Sequence, residues 1–192
     1  MRKLIFTLTL ISFISCKNQI KNRQFFIEEF NWTLVAPEGF KYTSAKEVKK
    51  IRGRGMEILK DTYGDEVEDR TINLFFIENG KLNKFEANFQ PFDETVDGNY
   101  SEANKELNEL MVNAFTVNLD DIKIDTISSK EKIDKLDFHL FKIKVTYPNN
   151  MVLHTYMFNR LFEKKDLTCT IIFIDEKLGL EMLNSFKKSK FK

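Results

Sequence analysis

The sequence predicts an α+β fold: a mostly antiparallel sheet covered by helices on both faces. Three observations lead there. Period-2 and fully apolar runs alternate with stretches of helical period, in the order strand, helix, two strands, helix, four strands, helix. Asn79-Gly80 separates two β-prone runs, the signal of a hairpin and of antiparallel pairing. Several strands are apolar on both sides, which requires cover on both faces of the sheet. Repeats and a second composition are absent from the sequence, so residues 24–192 read as a single α/β/α domain.

The first strand runs from Phe25 to Ala36, with Phe30, Trp32 and Leu34 alternating, and Pro37-Glu38-Gly39 turns the chain. Ser44-Ala45-Lys46-Glu47 is a capping-box pattern. The helix it starts puts Val48, Ile51, Gly55, Ile58 and Leu59 on one face. Gly53 and Gly55 each cost this helix about 1 kcal/mol relative to Ala, which close packing on the sheet would offset. Thr71 to Glu78 and Leu82 to Phe92 form the hairpin about Asn79-Gly80. Its second strand alternates Phe85, Ala87 and Phe89 with Lys84, Glu86, Asn88 and Gln90, as expected of a strand with one face in water. From Ser101, a helix carries Ala103, Leu107, Leu110, Met111, Ala114 and Phe115 as a stripe for burial. Four strands follow: Ile122 to Ser128, Leu136 to Tyr147, Met151 to Phe162 and Leu167 to Ile174. In the second of these the apolar phase switches after Leu140, which means either a bulge or cover on both sides. Glu176 to Phe186 closes the fold as a helix, and the basic tail KKSKFK is expected to stay solvated.

The 192 residues carry 30 Lys+Arg against 29 Asp+Glu, a balance that argues against a nucleic-acid partner. Two Cys are too few for a disulfide framework or a Cys-built zinc site. The 19 Phe and the 42% apolar content suffice for a packed core.

Met1-Arg2-Lys3 followed by the apolar run Leu4 to Phe13 has the build of an export signal, and that run is too short to span a bilayer. The next residues, Phe13-Ile14-Ser15-Cys16, resemble a bacterial lipobox of the looser kind found in Bacteroidetes. The resemblance implies a signal peptide over residues 1–15, lipid attachment at Cys16 and a polar tether over 16–23. The Cys thiolate is the nucleophile that would form the thioether, and two or more acyl chains anchor stably. The tether lacks the early acidic residues of surface-exported lipoproteins. The expectation is therefore the periplasmic side, with the outer membrane favoured over the inner.

Several further pieces lie in a recognisable order. They are an aromatic strand running into Pro37-Glu38-Gly39-Phe40, Asn88-Phe89 late in the hairpin, a long amphipathic helix after Tyr100, the meander from Ile122 to Ile174, and a helix ending at Ser185-Phe186. Together they cover most of residues 30–187, and the order is similar to that of the PsbP-like group, which includes DcrB-like and LpqN-like lipoproteins. The helix from Lys46 to Tyr63 is longer than the group's pattern. The resemblance implies an α/β/α sandwich whose members mostly bind other proteins.

No catalytic, cofactor or metal constellation is expected. His139 and His154 are placed on one face of a hairpin but roughly 20 Å apart, too far to share a metal. Cys169 follows the apolar phase of Leu167, Ile171 and Phe173 and reads as a small buried hydrophobe. Asp120, Asp121 and Asp125 lack the glycine turn and closing Glu of a calcium loop, and Asp65, Glu66 and Glu68 read as a charged loop. Arg52-Gly53-Arg54-Gly55 is too short for an RNA-binding repeat. Asp125-Thr126-Ile127 resembles the short O-glycosylation motif of Bacteroidetes, which makes Thr126 a modification candidate. The function expected is a lipid-anchored binding or accessory module for a protein partner. The alternative is a carrier or sensor of a small apolar ligand, drawing on the Phe-rich interior.

Overall fold

The computed structural model describes residues 23–63 and 69–192. Its main sheet has seven strands in the order β3-β4-β5-β9-β8-β7-β6, and every pairing is antiparallel. These are β3 (Lys41–Tyr42), β4 (Ile72–Glu78), β5 (Lys84–Pro91), β6 (Lys123–Ile133), β7 (Leu136–Thr146), β8 (Val152–Phe162) and β9 (Lys165–Phe173). A second sheet, β1-β2-β10, joins Gln24–Ile27, Trp32–Val35 and Lys190–Phe191. The helices are α1 (Ala45–Tyr63), the single turn α2 (Glu94–Asp97), α3 (Tyr100–Asn118) and α4 (Glu176–Lys187).

The expected strand over 25–36 is a hairpin. A 3₁₀ turn at Glu28–Phe30 and left-handed Asn31 (φ 46°) fold Phe25 back beside Leu34. Both arms turn their odd or even apolar set inward, so Phe25, Ile27, Trp32 and Leu34 are all buried. The lysines of the tail are exposed as expected, but its end is held: Ser189 is buried, Phe191 pairs with Trp32 and stacks on its ring at 5.2 Å, and Lys190 binds Asp134 at 2.9 Å. Nor is the Asn79-Gly80 connection a two-residue turn with both residues at positive φ. It is a loop closed by the Asn79 N–H donating to the Asn83 carbonyl, with positive φ at Gly80. Asn83 then accepts from the amides of Ile174 and Asp175 and ties the loop to the start of α4.

One face of the main sheet carries the larger core. Phe75, Phe85, Phe138 and Phe158 meet Trp32 from the small sheet and Met182 and Phe186 from α4. The Phe186 ring touches those of Trp32, Phe85, Phe138 and Phe158, mostly edge to face. Gly179 permits this approach, since a Cβ there would stand 2.4 Å from the Phe173 ring. On the other face Phe141, Ile143, Val145, Leu153 and Met157 pack against Leu107, Met111, Val112 and Phe115 of α3. The phase switch in β7 is thus cover on both sides. Its pairing with β6 and β8 runs without a register shift, and Phe138 and Leu140 serve one core while Phe141 and Ile143 serve the other.

Helix α1 lies beside α3 on that second face. Ser44 caps it as expected, its hydroxyl accepting from the Glu47 amide, and Val48 is buried. The glycines do not pack closely: nothing lies within 4 Å of a Cβ built at Gly53 or Gly55. The side of β5 expected in water is partly covered instead, with Arg52 of α1 acting on the Glu86 carboxylate. The cap of α3 is Asn99 rather than Ser101, its side chain accepting from the amides of Ser101 and Glu102.

Candidate functional site

Strand β6 ends the seven-stranded sheet, and among the described residues its eleven positions pair with β7 alone. Along such an edge every second residue turns its N–H and C=O away from the ladder. The even positions of β6 face α3, because Ser128 is opposite Phe141 and Thr126 opposite Ile143. Between that row and the helix lies an open groove of about 440 Å³. Phe141 and Val112 supply its apolar lining, Thr126 and Ser128 one wall, and Asn108 and Asn113 the other. The Asn108 Oδ1 is buried and has no hydrogen-bond partner among the described residues. An unmet acceptor of this kind costs stability until a donor reaches it. Beside the strand, Lys130 and Lys144 have no ion pair among the described residues, whereas Lys123 meets Asp125 and Lys187 meets Glu131.

At the first turn of α3 lies a polar band that no sequence motif announces. The Tyr100 hydroxyl, at the first turn of α3, donates to the buried Asp166 carboxylate at 2.7 Å. Burial pushes the Asp166 carboxyl up, against the lowering effect of hydrogen bonds from Tyr100 and Gln90. The Tyr100 hydroxyl is pushed up too, first by burial and then by that carboxylate. Asn159 donates to Thr168 at 2.7 Å, and Asn104 donates back to the Tyr100 carbonyl. The Tyr100 bond pins the N-terminal end of α3 to β9, while the other two lie within the sheet and within the helix.

The residues singled out by sequence are scattered. Cys16 and its tether through residue 22 lie outside the described residues, as do Asp65, Glu66 and Glu68. Thr126 is exposed in the groove wall. The two histidines do not share a face: His139 is opposite Asn159 and approaches the Tyr100 ring, while His154 is opposite Lys144, stacks on Phe173 and meets Glu176 at 3.1 Å. Cys169 is wholly buried and its thiol is pushed well up by that burial. Asp121 sits in a left-handed turn, and Asp125 meets Lys123. No cluster of metal-ligating side chains occurs among the described residues.

The fold is similar to that in the solution structure of cyanobacterial PsbP (CyanoP) from Synechocystis sp. PCC 6803. The TM-score is 0.56 at 7% identity, over 88% of this chain and 91% of that one. No family model matches the sequence, and no curated protein does. At that identity the likeness establishes a PsbP-like α/β/α sandwich and nothing finer.

Proposed function

We propose that the chain is a lipid-anchored accessory module that docks an extended segment of a protein partner along β6. The carrying observation is the juxtaposition of an eleven-residue sheet edge with the groove at its side. Strand addition would satisfy the outward N–H and C=O groups of β6, and alternate partner side chains would enter the groove over Phe141. A donor among them would meet the Asn108 oxygen. The lysines of β6 guard the edge against indiscriminate pairing and, with Lys144, favour an acidic or neutral segment. The lipobox-like Cys16 supports placement at a membrane on the periplasmic side, with the outer membrane favoured.

The same groove bears on Thr126. An O-glycan there would fill the space a docked strand needs, so an intact mass that carries acyl groups but no glycan is expected. The Phe-rich interior that motivates a small-ligand carrier is occupied by ring-on-ring packing around Phe186, which leaves protein docking as the favoured reading.

The decisive experiment places a photo-crosslinking residue at Ile127, which is 60% exposed, and at Val96, which is 80% exposed, in the producing cell. One discrete adduct from position 127, absent from position 96 and lost in Thr126→Arg, is expected. Equal labelling from both positions, or an adduct indifferent to Thr126→Arg, would remove β6 as the docking edge.

A further inference from the structure

We infer that the outer face of the small sheet seats on an anionic bilayer surface; this rests on the reading that Cys16 carries the lipid. The chain itself sets the distance. Six residues separate Cys16 from Arg23, and the seven steps of an extended chain reach at most about 25 Å. Strand β1 begins at Gln24, so the small sheet is the part of the molecule that the anchor holds against the membrane.

The sheet has two unlike sides. Phe25, Ile27, Trp32 and Leu34 point into the core. Gln24, Phe26, Thr33, Val35 and Lys190 form the outer row, as the registers Gln24↔Val35, Phe26↔Thr33 and Lys190↔Thr33 require. In that row Phe26 is 61% exposed and Val35 is 51% exposed, on facing strands and within diagonal reach of each other. Among the described residues α4 borders Val35 on one side, and Phe26 stays the more open of the two. A large aromatic held open beside a tether of about 25 Å is what an interfacial seat uses, with the ring entering the headgroup boundary.

Charge selects the lipid. Lys17 and Lys21 lie in the tether, Arg23 at its end, and Lys188 and Lys192 flank the sheet without an ion pair among the described residues. Arg23 is partly answered by Glu38 at 3.9 Å, and Lys190 by Asp134. Glu181 borders the adjoining cleft of about 470 Å³ between Val35 and α4. With Glu28 and Glu29 at the turn between β1 and β2, the described charges around the face roughly cancel, and the basic excess that complements anionic headgroups is that of Lys17 and Lys21 in the tether.

The full chain, produced with its leader, tests this. Phe26→Cys and, on the opposite layer, Val117→Cys are labelled with an environment-sensitive fluorophore. Cys169 is buried and Cys16 is blocked by its thioether, so the wild-type chain should take up no label. The acyl mass is read on the same preparation. In vesicles of phosphatidylcholine with a third phosphatidylglycerol, brominated acyl chains should quench the label at position 26 at least twofold and leave that at 117 unchanged. In pure phosphatidylcholine the quenching should fall by half or more. Acylated protein with equal emission at 26 and 117 would overturn the seat and leave the anchor standing, whereas a missing acyl mass would overturn the anchor. Undiminished quenching in neutral vesicles would overturn the anionic requirement. Shielding of position 26 only on adding a membrane-protein extract would assign the face to a protein and overturn the seat.

Discussion

Tyr100 stands where α3 meets the sheet, and its hydroxyl is the donor that the buried Asp166 carboxylate requires. Removing it leaves a buried acceptor short of a partner while the ring contacts with Phe92 and His139 survive. Tyr100→Phe is therefore expected to destabilise by about 1–3 kcal/mol, read as a lower urea midpoint at constant slope. A midpoint equal to that of the parent would sink the assignment of Tyr100 as the pin. Neither residue was legible beforehand, because 66 positions separate them and no motif contains either. Cys169 was legible, since its phase within β9 repeats that of Leu167 and Ile171. The histidine pair shows how narrow the margin is. His154 stands opposite Lys144; a register one residue away, opposite Val145, would have put it on the face of His139, because in a strand one residue exchanges the faces. Of the groove, only Thr126 drew notice, and for a modification motif rather than for its place on an edge.

At the scale of elements, long periodic segments declared themselves and short polar ones did not. Helices α1, α3 and α4 and strands β7, β8 and β9 follow their hydrophobic patterns to within a few residues. Strand β6 extends to Ile133, well past the apolar residues that mark its start, because its later residues gain order from the ladder with β7 rather than from burial. Strand β10 is two residues long and has no period to read; it exists because Trp32 offers Phe191 a stacking surface. The glycines separate by environment in the same way. Gly179→Ala drives a methyl group into the buried Phe173 ring and should cost about 1–3 kcal/mol. Gly53→Ala and Gly55→Ala enter open space on α1 and should each stabilise by up to about 1 kcal/mol through helix propensity. Thermal unfolding of the three single variants decides this. Destabilisation by both α1 substitutions would mean that this helix packs where open space is now drawn.

For the whole molecule, the layered sandwich could be read from element order alone, whereas the division into two sheets could not, since it depends on where Asn31 reverses the chain. The two layers also set how the protein answers pH. On the helix α3 side, burial raises Asp166 and Glu86, the latter against the pull of Arg52 and Lys84. A carboxyl raised on folding is most favourable below its unfolded value near 4, and its contribution is lost as pH rises through the folded value. At the surface the signs reverse. Lys164 and Thr95 hold Asp93 down to about 2, the Asp93 amide and Arg70 lower Asp97, and Lys190 and the Phe191 amide lower Asp134. Those groups stabilise above about pH 4 and lose that contribution as pH falls through their folded values. Solvent screens the exposed set, so buried Asp166 and partly covered Glu86 govern the neutral side. Stability should therefore peak at about pH 4 to 5 and decline toward pH 7.5, the reverse of a protein governed by surface ion pairs. Urea midpoints between pH 3 and pH 8 measure the profile. The double variant Asp166→Asn with Glu86→Gln should flatten the decline above pH 5 and leave the acid limb in place, with the Tyr100 hydroxyl still able to donate to the new amide oxygen. A parent profile that rises from pH 5 to pH 7.5, or a double variant with the parent's slope, would show that the polar band under α3 does not carry the charge assigned to it.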